Sequence, residues 1–249
     1  MKTLTIGWLY PELMNIYGDR GNIIALTKRA KWREIKSEVV ELNPGFSDKD
    51  LSRCNFLMMG GAQDQQQSIV NKDLRKHHKT LSEMIGNGGA GLYVCGGFQF
   101  LGNYYREADE SIIDGLGIFD LFTVNPGPDK PRLIGNIAIE TNIKEITRPI
   151  VGFENHGGRT ILGENVEPFG KVLKGHGNND DGLEGARFKN SFGTYLHGPI
   201  LPKNPEFADH LLKLALGVGE LKPLDDKLEN EANEAIGKLL RIQQESPNS

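Results

Sequence analysis

Two short apolar runs constrain the fold of this chain more than any other feature: Phe56 to Met59, which runs into Gly60-Gly61, and Gly91 to Val94, which runs into Cys95-Gly96-Gly97. A run of four apolar residues bounded by glycines is too short for a helix and reads as a strand buried on both faces. Helical stretches flank these runs: Asn22 to Ile35, with Ile23, Leu26, Ala30 and Trp32 on one loose face, and Ser68 to Ile85, which ends at Gly86-Asn87-Gly88-Gly89. With strands at Leu4 to Leu9 and Glu38 to Leu42, the order β-α-β-β-α-β-α predicts an α/β fold with a mainly parallel sheet covered by helices. Functional groups in such sheets collect beyond the carboxyl ends of the strands, where Gly60-Gly61 and Cys95 both fall.

After about Ile112 the texture changes. Phe119 to Val124, Arg132 to Glu140, Ile150 to Phe153, Lys171 to Lys174, Ala186 to Lys189 and Phe192 to Leu196 are short strand candidates separated by Gly, Asn, Asp and Pro. They predict hairpins and an antiparallel extension of the same sheet. Phe207 to Leu216 has an amphipathic helical pattern, and the charged stretch from Pro223 carries Leu224, Leu228, Ile236, Leu239, Leu240 and Ile242 in a surface-helix pattern. The expected division is a domain over 1–222 and a charged C-terminal helix and tail over 223–249, with a loose end at Ser246 to Ser249.

A thiol at a strand-to-helix turn is where a chain holds a nucleophile. The turn lifts the side chain out of the sheet edge, small neighbours let the backbone approach a substrate, and the helix N-terminus favours a thiolate. A packed structural cysteine is the alternative, and Cys95 alone leaves both open. Its base must come from six histidines. His77 and His78 lie in a Lys/Arg-rich stretch that reads as a solvated face, His210 reads as structural, and His176 falls in a hairpin loop. His156 has neighbours able to shape a pocket wall. His197 is the strongest candidate: it ends the strand-like run Phe192 to Leu196, and Gly198-Pro199 stops the chain immediately after it.

The balance of 29 Lys plus Arg against 33 Asp plus Glu gives a net charge of −4, which points away from nucleic acid. Two cysteines without repeated spacing give neither a disulfide framework nor a metal site. The N-terminus enters strand-like sequence directly, and no apolar stretch approaches the roughly 20 residues of a membrane helix, so the expected location is the cytoplasm, without membrane insertion.

Gly91-x-Tyr93-Val94-Cys95-Gly96-Gly97-Phe98-Gln99 together with Gly193-Thr194-Tyr195-Leu196-His197-Gly198 resembles the class I glutamine amidotransferases, in particular their cobyric-acid-synthase-like branch. Within that branch Leu9 to Asn22, Gly60 to Asp64, Arg132 to Asn136, Gly152 to Thr160 and Gly193 to Pro199 resemble, in order, the glutaminase subunits of lipid II isoglutaminyl synthase. The resemblance runs from residue 4 to about 216 and implies the class I amidotransferase fold.

It also implies roles. Cys95 attacks the side-chain amide of L-glutamine to form a glutamyl thioester, and His197 moves the proton. Gly61 and Gly96 supply the oxyanion hole. Arg132 grips the substrate α-carboxylate, which its guanidinium fork suits, and Gln99, one turn past the thiol, hydrogen-bonds the substrate. Asp19 and Arg20 fall in a loop that lines the same edge or simply turns the chain.

The implied partner, in a heterodimer, is a Mur-ligase-like synthetase, MurT in that family. ATP and magnesium belong to the partner, and this chain needs no cofactor and no metal; it has no Gly-x-x-x-x-Gly-Lys-Ser/Thr run. The ammonia amidates the D-glutamate of lipid II to D-isoglutamine for peptidoglycan synthesis. A cobyrinic-acid-type acceptor, a cysteine hydrolase of the same fold and a binding protein with an inert Cys95 are the alternatives. One departure stands out: many class I amidotransferases carry a glutamate two residues after the histidine, and here that position is Pro199. Either another group in the fold orients the imidazole or, the favoured expectation, a partner protein supplies the carboxylate.

Overall fold

The computed structural model describes residues 2–15, 18–61 and 64–242. Ile16, Tyr17, Ala62 and Gln63, within two of the motif stretches, and the tail from 243 lie outside the described residues. A six-stranded sheet forms the centre, in the order β13-β14-β4-β3-β1-β2. Its parallel members are β1 (Leu4–Leu9), β2 (Ser37–Leu42), β3 (Phe56–Met59), β4 (Ala90–Val94) and β14 (Ser191–Thr194), with β13 (Ala186–Phe188) added antiparallel at the edge. β3 and β4 are buried at every position, which is why they read as uninterrupted apolar runs rather than as alternation.

The helices cover the two faces. α1 (Arg20–Trp32) and α6 (Pro205–Leu216) share a core with β1, β4 and β14 through Ile23, Leu26, Phe207, Leu211 and Leu212. α2 (Asp48–Ser52), α3 (Asp64–Leu74) and α4 (His78–Gly86) follow β2 and β3, while α5 (Gly96–Leu101) follows β4. α6 starts two residues ahead of the expected Phe207 because Pro205 fits the first helical turn, and it stops at Gly217, whose φ of 58° is left-handed. The long helix expected over Ser68 to Ile85 is broken by a 3₁₀ turn at Arg75–His77. There His77 turns inward: its ring stacks on Phe46 at 3.9 Å and its Nδ1 lies 2.6 Å from Asp48 Oδ1. His77 is therefore buried, not part of a solvated face.

Of the strands expected as an antiparallel extension of the main sheet, β13 joins it antiparallel at the edge, whereas the run Phe192 to Leu196 becomes β14 and joins it parallel, beside β4. The others build two further sheets. One takes β5 (Tyr104–Arg106), β6 (Ile112–Asp114), β7 (Leu121–Val124) and β10 (Arg159–Leu162); the other takes β8 (Leu133–Glu140), β9 (Ile150–His156), β11 (Gly170–Lys174) and β12 (Leu183–Glu184). Short runs separated by turn residues fix the existence of strands but not which sheet they join.

The charged C-terminal stretch contains α7 (Lys227–Leu240), and it is held down at its start and its middle. Buried Arg29 of α1 holds Asp226, at the α7 N-cap, with two bonds of 2.6 and 2.9 Å, and Asp209 of α6 at 2.7 Å. Buried Asn233 donates to the Pro149 and Lys203 carbonyls and to Asn204 Oδ1. Leu228 and Leu239 remain exposed. No described helix is long and apolar enough to cross a membrane.

Candidate active site

β4 and β14 run parallel in the middle of the sheet, with Thr194 level with Val94, and Cys95 N–H donates to the Thr194 carbonyl at 2.8 Å. The two strands therefore end side by side, one on Cys95 and the other, three residues later, on His197. Cys95 occupies φ 52°, ψ −108° at the N-cap of α5, a region in which an L-residue is strained. The turn is held by Gln99 N–H to the Cys95 carbonyl at 2.9 Å and by Gly97 N–H to the Gly60 carbonyl at 3.1 Å. This is the geometry of a nucleophile elbow, and Cys95 is only partly buried, whereas Cys54 is buried and its thiol is pushed up to about 11 by burial.

His197 is 1% exposed. Its main chain is stitched to β9: His197 N–H donates to the Phe153 carbonyl at 2.7 Å, and Phe153 N–H returns to the His197 carbonyl at 3.3 Å. Burial alone would lower its pKa, but Asp19 and Cys95 beside it outweigh burial and push it up to about 9. At neutral pH the imidazole thus carries the proton that a leaving amine requires.

A carboxylate from this chain faces that imidazole. Asp19 is fully buried, and its Oδ1 lies 3.8 Å from His197 Nδ1. Its Oδ2 accepts from Gly61 N–H at 3.0 Å. Of the two ways to orient the histidine in the absence of an acid at position 199, a group within the fold has a physical candidate, so a partner's carboxylate is not the only source. The same contact bears on Gly61: its N–H points to Asp19, and it faces an oxyanion only after leaving that carboxylate. Gly96 opens α5, where the first N–H groups have no acceptor within the helix.

The substrate-contact candidates stand on either side of the Gly157-Gly158 turn that joins β9 to β10. Exposed Arg132 donates from Nε to Asn155 Oδ1 and from Nη2 to the Asn155 carbonyl, each at 3.0 Å. A Cβ on Gly157 would come within 3.4 Å of Arg132 Nη1, and one on Gly158 within 2.9 Å of Gln99 Nε2. Gly157 has room for a side chain, whereas at Gly158, where a Cβ would also fall 2.6 Å from Thr123 Cγ2, the close approach to Gln99 requires glycine. Gln99 is buried and already donates to Tyr195 Oη at 3.1 Å, so it supports the wall of the site in this state.

Gln99 and His156 stand out in the sequence, but the Tyr195, Thr160 and Thr123 parts of that wall are not legible there. Tyr195 stacks on His156 with ring centroids 3.6 Å apart, and its hydroxyl meets Thr160 Oγ1 at 2.6 Å, which in turn meets Thr123 Oγ1 at 2.7 Å. Burial pushes the phenol up to about 12, with Cys95 adding to the effect, which places the sulfur within electrostatic reach. His156 is buried beside Tyr195: burial holds its pKa below the ordinary value, and its Nδ1 lies 2.8 Å from the Gly158 carbonyl. Behind His197, buried Glu184 accepts from Thr194 Oγ1 and Tyr195 N–H at 2.9 and 2.7 Å; burial raises its pKa to about 8, so it is largely neutral at pH 7. His176 pairs with Asp180 and His210 with Glu145, away from this chemistry.

Residues 5–205 match the CobB/CobQ-like glutamine amidotransferase domain. The chain is 43% identical over 241 residues to the lipid II isoglutaminyl synthase (glutamine-hydrolyzing) subunit GatD of Staphylococcus aureus, covering 95% of this chain and 96% of that one. It is 40% identical to the GatD of Streptococcus pneumoniae, over 86% and 80% of the two lengths. A probable cobyric acid synthase of Methanococcus maripaludis is 33% identical over 72% of this chain, but only 38% of that protein is covered. Among solved structures, a glutamine amidotransferase matches with a TM-score of 0.59 at 16% identity, over 86% of this chain and 99% of that one. PurLQS from Thermotoga maritima matches with 0.57 at 15%, over 87% and 99%.

Proposed function

Since the chain belongs to the CobB/CobQ-like glutamine amidotransferases, we infer that it is the glutaminase subunit of a lipid II isoglutaminyl synthase, hydrolysing L-glutamine and passing the ammonia to a synthetase subunit. The observation that carries this reading is the placement of Cys95, strained at an elbow, beside the strand end that leads to His197, in a chain that matches the S. aureus subunit over nearly its whole length. The cobyric acid synthases share the branch, but this chain spans only about two-fifths of their length.

The chemistry follows from the geometry. Asp19 lies on the Nδ1 side of His197, which leaves Nε2 for proton exchange with Cys95. The sulfur attacks the amide carbon with its proton already transferred to the imidazole, and the negative charge collects on the former carbonyl oxygen. Gly96 N–H receives that oxygen, joined by Gly61 N–H once it turns from Asp19. Collapse breaks the C–N bond, the nitrogen leaves as ammonia with the proton from His197, and water then attacks the thioester to release glutamate and restore the thiol. Arg132 holds the substrate α-carboxylate, its Nη1 lying next to the Gly157 turn.

The partner is a Mur-ligase-like synthetase of the MurT kind, in a heterodimer in the cytoplasm, and ATP and magnesium act there. Because one oxyanion donor is tied to Asp19, the isolated chain hydrolyses glutamine slowly and the partner accelerates it. The test is the complex carrying Cys95→Ala: it loses glutamine-dependent amidation of lipid II and keeps amidation from ammonium salts. Glutamine use by that variant overturns the reading, and full glutaminase activity in the isolated wild-type chain overturns its dependence on the partner.

A further inference from the structure

We propose that Asp19 is the positioning residue that orients His197 for proton exchange with Cys95, taking the place that Pro199 leaves without an acid. The inference rests on the glutaminase reading, and four features of the fold carry it.

Asp19 stands at the N-cap of α1, where an aspartate ordinarily accepts from the first helical N–H groups, yet it has helical angles of φ −57°, ψ −21° and its side chain caps nothing. It is turned inward instead, to zero exposure, a costly position for a carboxylate unless its lone pairs are used. In this state Gly61 N–H occupies Oδ2 at 3.0 Å, and Oδ1 is left facing the imidazole.

Pro199 itself helps bring the two together. A Cβ on Gly21 would fall 2.3 Å from Pro199 Cγ, so the start of α1 lies directly against the segment that follows the histidine. Asn22 Oδ1 accepts from Leu201 N–H at 2.9 Å and locks the same approach. The proline that occupies the acid's usual position thus packs on the loop that brings another acid in.

The remaining groups around His197 do not fill the role. Glu184, from β12, spends Oε1 on Thr194 and Tyr195 and is kept largely neutral by burial. Cys95 is the proton's other station. Lys203 donates to the Gly198 carbonyl at 3.1 Å and bears the wrong charge to hold an imidazolium. At 3.8 Å the Asp19 contact is a charge contact that closes to a hydrogen bond when substrate loads the site, as catalytic pairs in unliganded enzymes do.

The test uses the full chain labelled with ¹³C at histidine Cε1, together with the complex for turnover. In the wild type His197 titrates well above the ordinary value of about 6.5. In Asp19→Asn, which keeps an acceptor for Gly61 N–H, the midpoint falls by a pH unit or more and the alkaline limb of kcat/KM moves toward neutrality. There kcat drops about a hundredfold with KM for glutamine nearly unchanged, and Asp19→Glu restores the midpoint. Asp19→Asn with wild-type kcat, or with reduced kcat but an unmoved midpoint and pH profile, overturns the proposal. A wild-type midpoint at or below about 6.5 overturns it without any variant. Failure of the glutaminase reading is separate: the wild-type complex then hydrolyses no glutamine, while the histidine titration still decides the role of Asp19.

Discussion

The parallel sheet and the antiparallel sheets divide the candidate site between them. The parallel half carries the proposed reacting groups: Cys95 beyond β4, His197 beyond β14, and the Gly60-Gly61 loop beyond β3. The antiparallel half contributes what surrounds them: Arg132 at the start of β8, His156 at the end of β9 and Thr160 in β10. The first set stands on strands buried on both faces, so its strain is held by a core that cannot give way. The second set is mixed: His156 and Thr160 are buried, whereas Arg132 is exposed at the head of β8, where a contact with a substrate can be altered at little cost to folding. In the proposed reading the chemistry sits on the buried half and carboxylate recognition at the exposed head of β8.

Substitution at Cys95 tests that division most severely. Cys95→Ala lowers glutamine hydrolysis by about four orders of magnitude or more. Cys95→Gly abolishes it equally and raises stability by about 1 kcal/mol, because glycine relieves the left-handed strain at this turn. Activity with ¹⁵N-glutamine and thermal melting read the two effects separately; a Gly variant that melts below the Ala variant breaks the claim that strain is stored for function.

The difference also explains what was legible beforehand. β1 and β3 match their sequence reading residue for residue, because a four- or six-residue apolar run ending in Gly or Tyr-Pro has few alternatives. Cys95 and His197 were legible because each sits at the end of such a run. Asp19 was legible only in part: in Gly18-Asp19-Arg20-Gly21 it reads as a plain turn or as a loop lining the same edge, and its burial against His197 shows only in the packed fold. Tyr195 and Glu184 were missed for a similar reason, since their partners lie on three different strands and no local spacing records them.

Arg132 tests the recognition half. Arg132→Ala raises KM for glutamine about ten- to hundredfold, the loss of one charge-assisted pair, with kcat within a few fold. Arg132→Lys recovers little, because a point charge cannot reproduce the fork. A fall in kcat with KM unchanged would move Arg132 from recognition to chemistry.

Glu184 lies at the seam between the halves and has a pH signature. Its pKa is raised by burial from 4.5 to about 8, so the folded state holds a proton that the unfolded state releases. Stability therefore falls as pH rises from about 4.5 through 8. Glu184→Gln flattens that part of the melting-temperature profile. His197 adds a second decline: its contribution is fully present below 6.5 and lost as pH rises through about 9, and it survives in Glu184→Gln. An unchanged profile in the variant rules out Glu184 as the source.

The smallest effects belong to α7. Asn233→Ala, which strips three hydrogen bonds from the helix anchor, destabilises by about 1 to 3 kcal/mol in denaturant titration. Leu239→Ser on the exposed face stays within about 0.5 kcal/mol. Equal losses would mean that the helix is held by its outer face.

The paired amides of His197 and Phe153 set a time scale for the site. A base on a free loop swings out as fast as a side chain changes rotamer. This one is sewn by its main chain to β9, so withdrawing it means breaking two backbone hydrogen bonds and belongs with local unfolding, slower by orders of magnitude. The imidazole thus waits in place through many substrate encounters, and the exchange rate of these two amides with deuterated water is the clock on which it leaves.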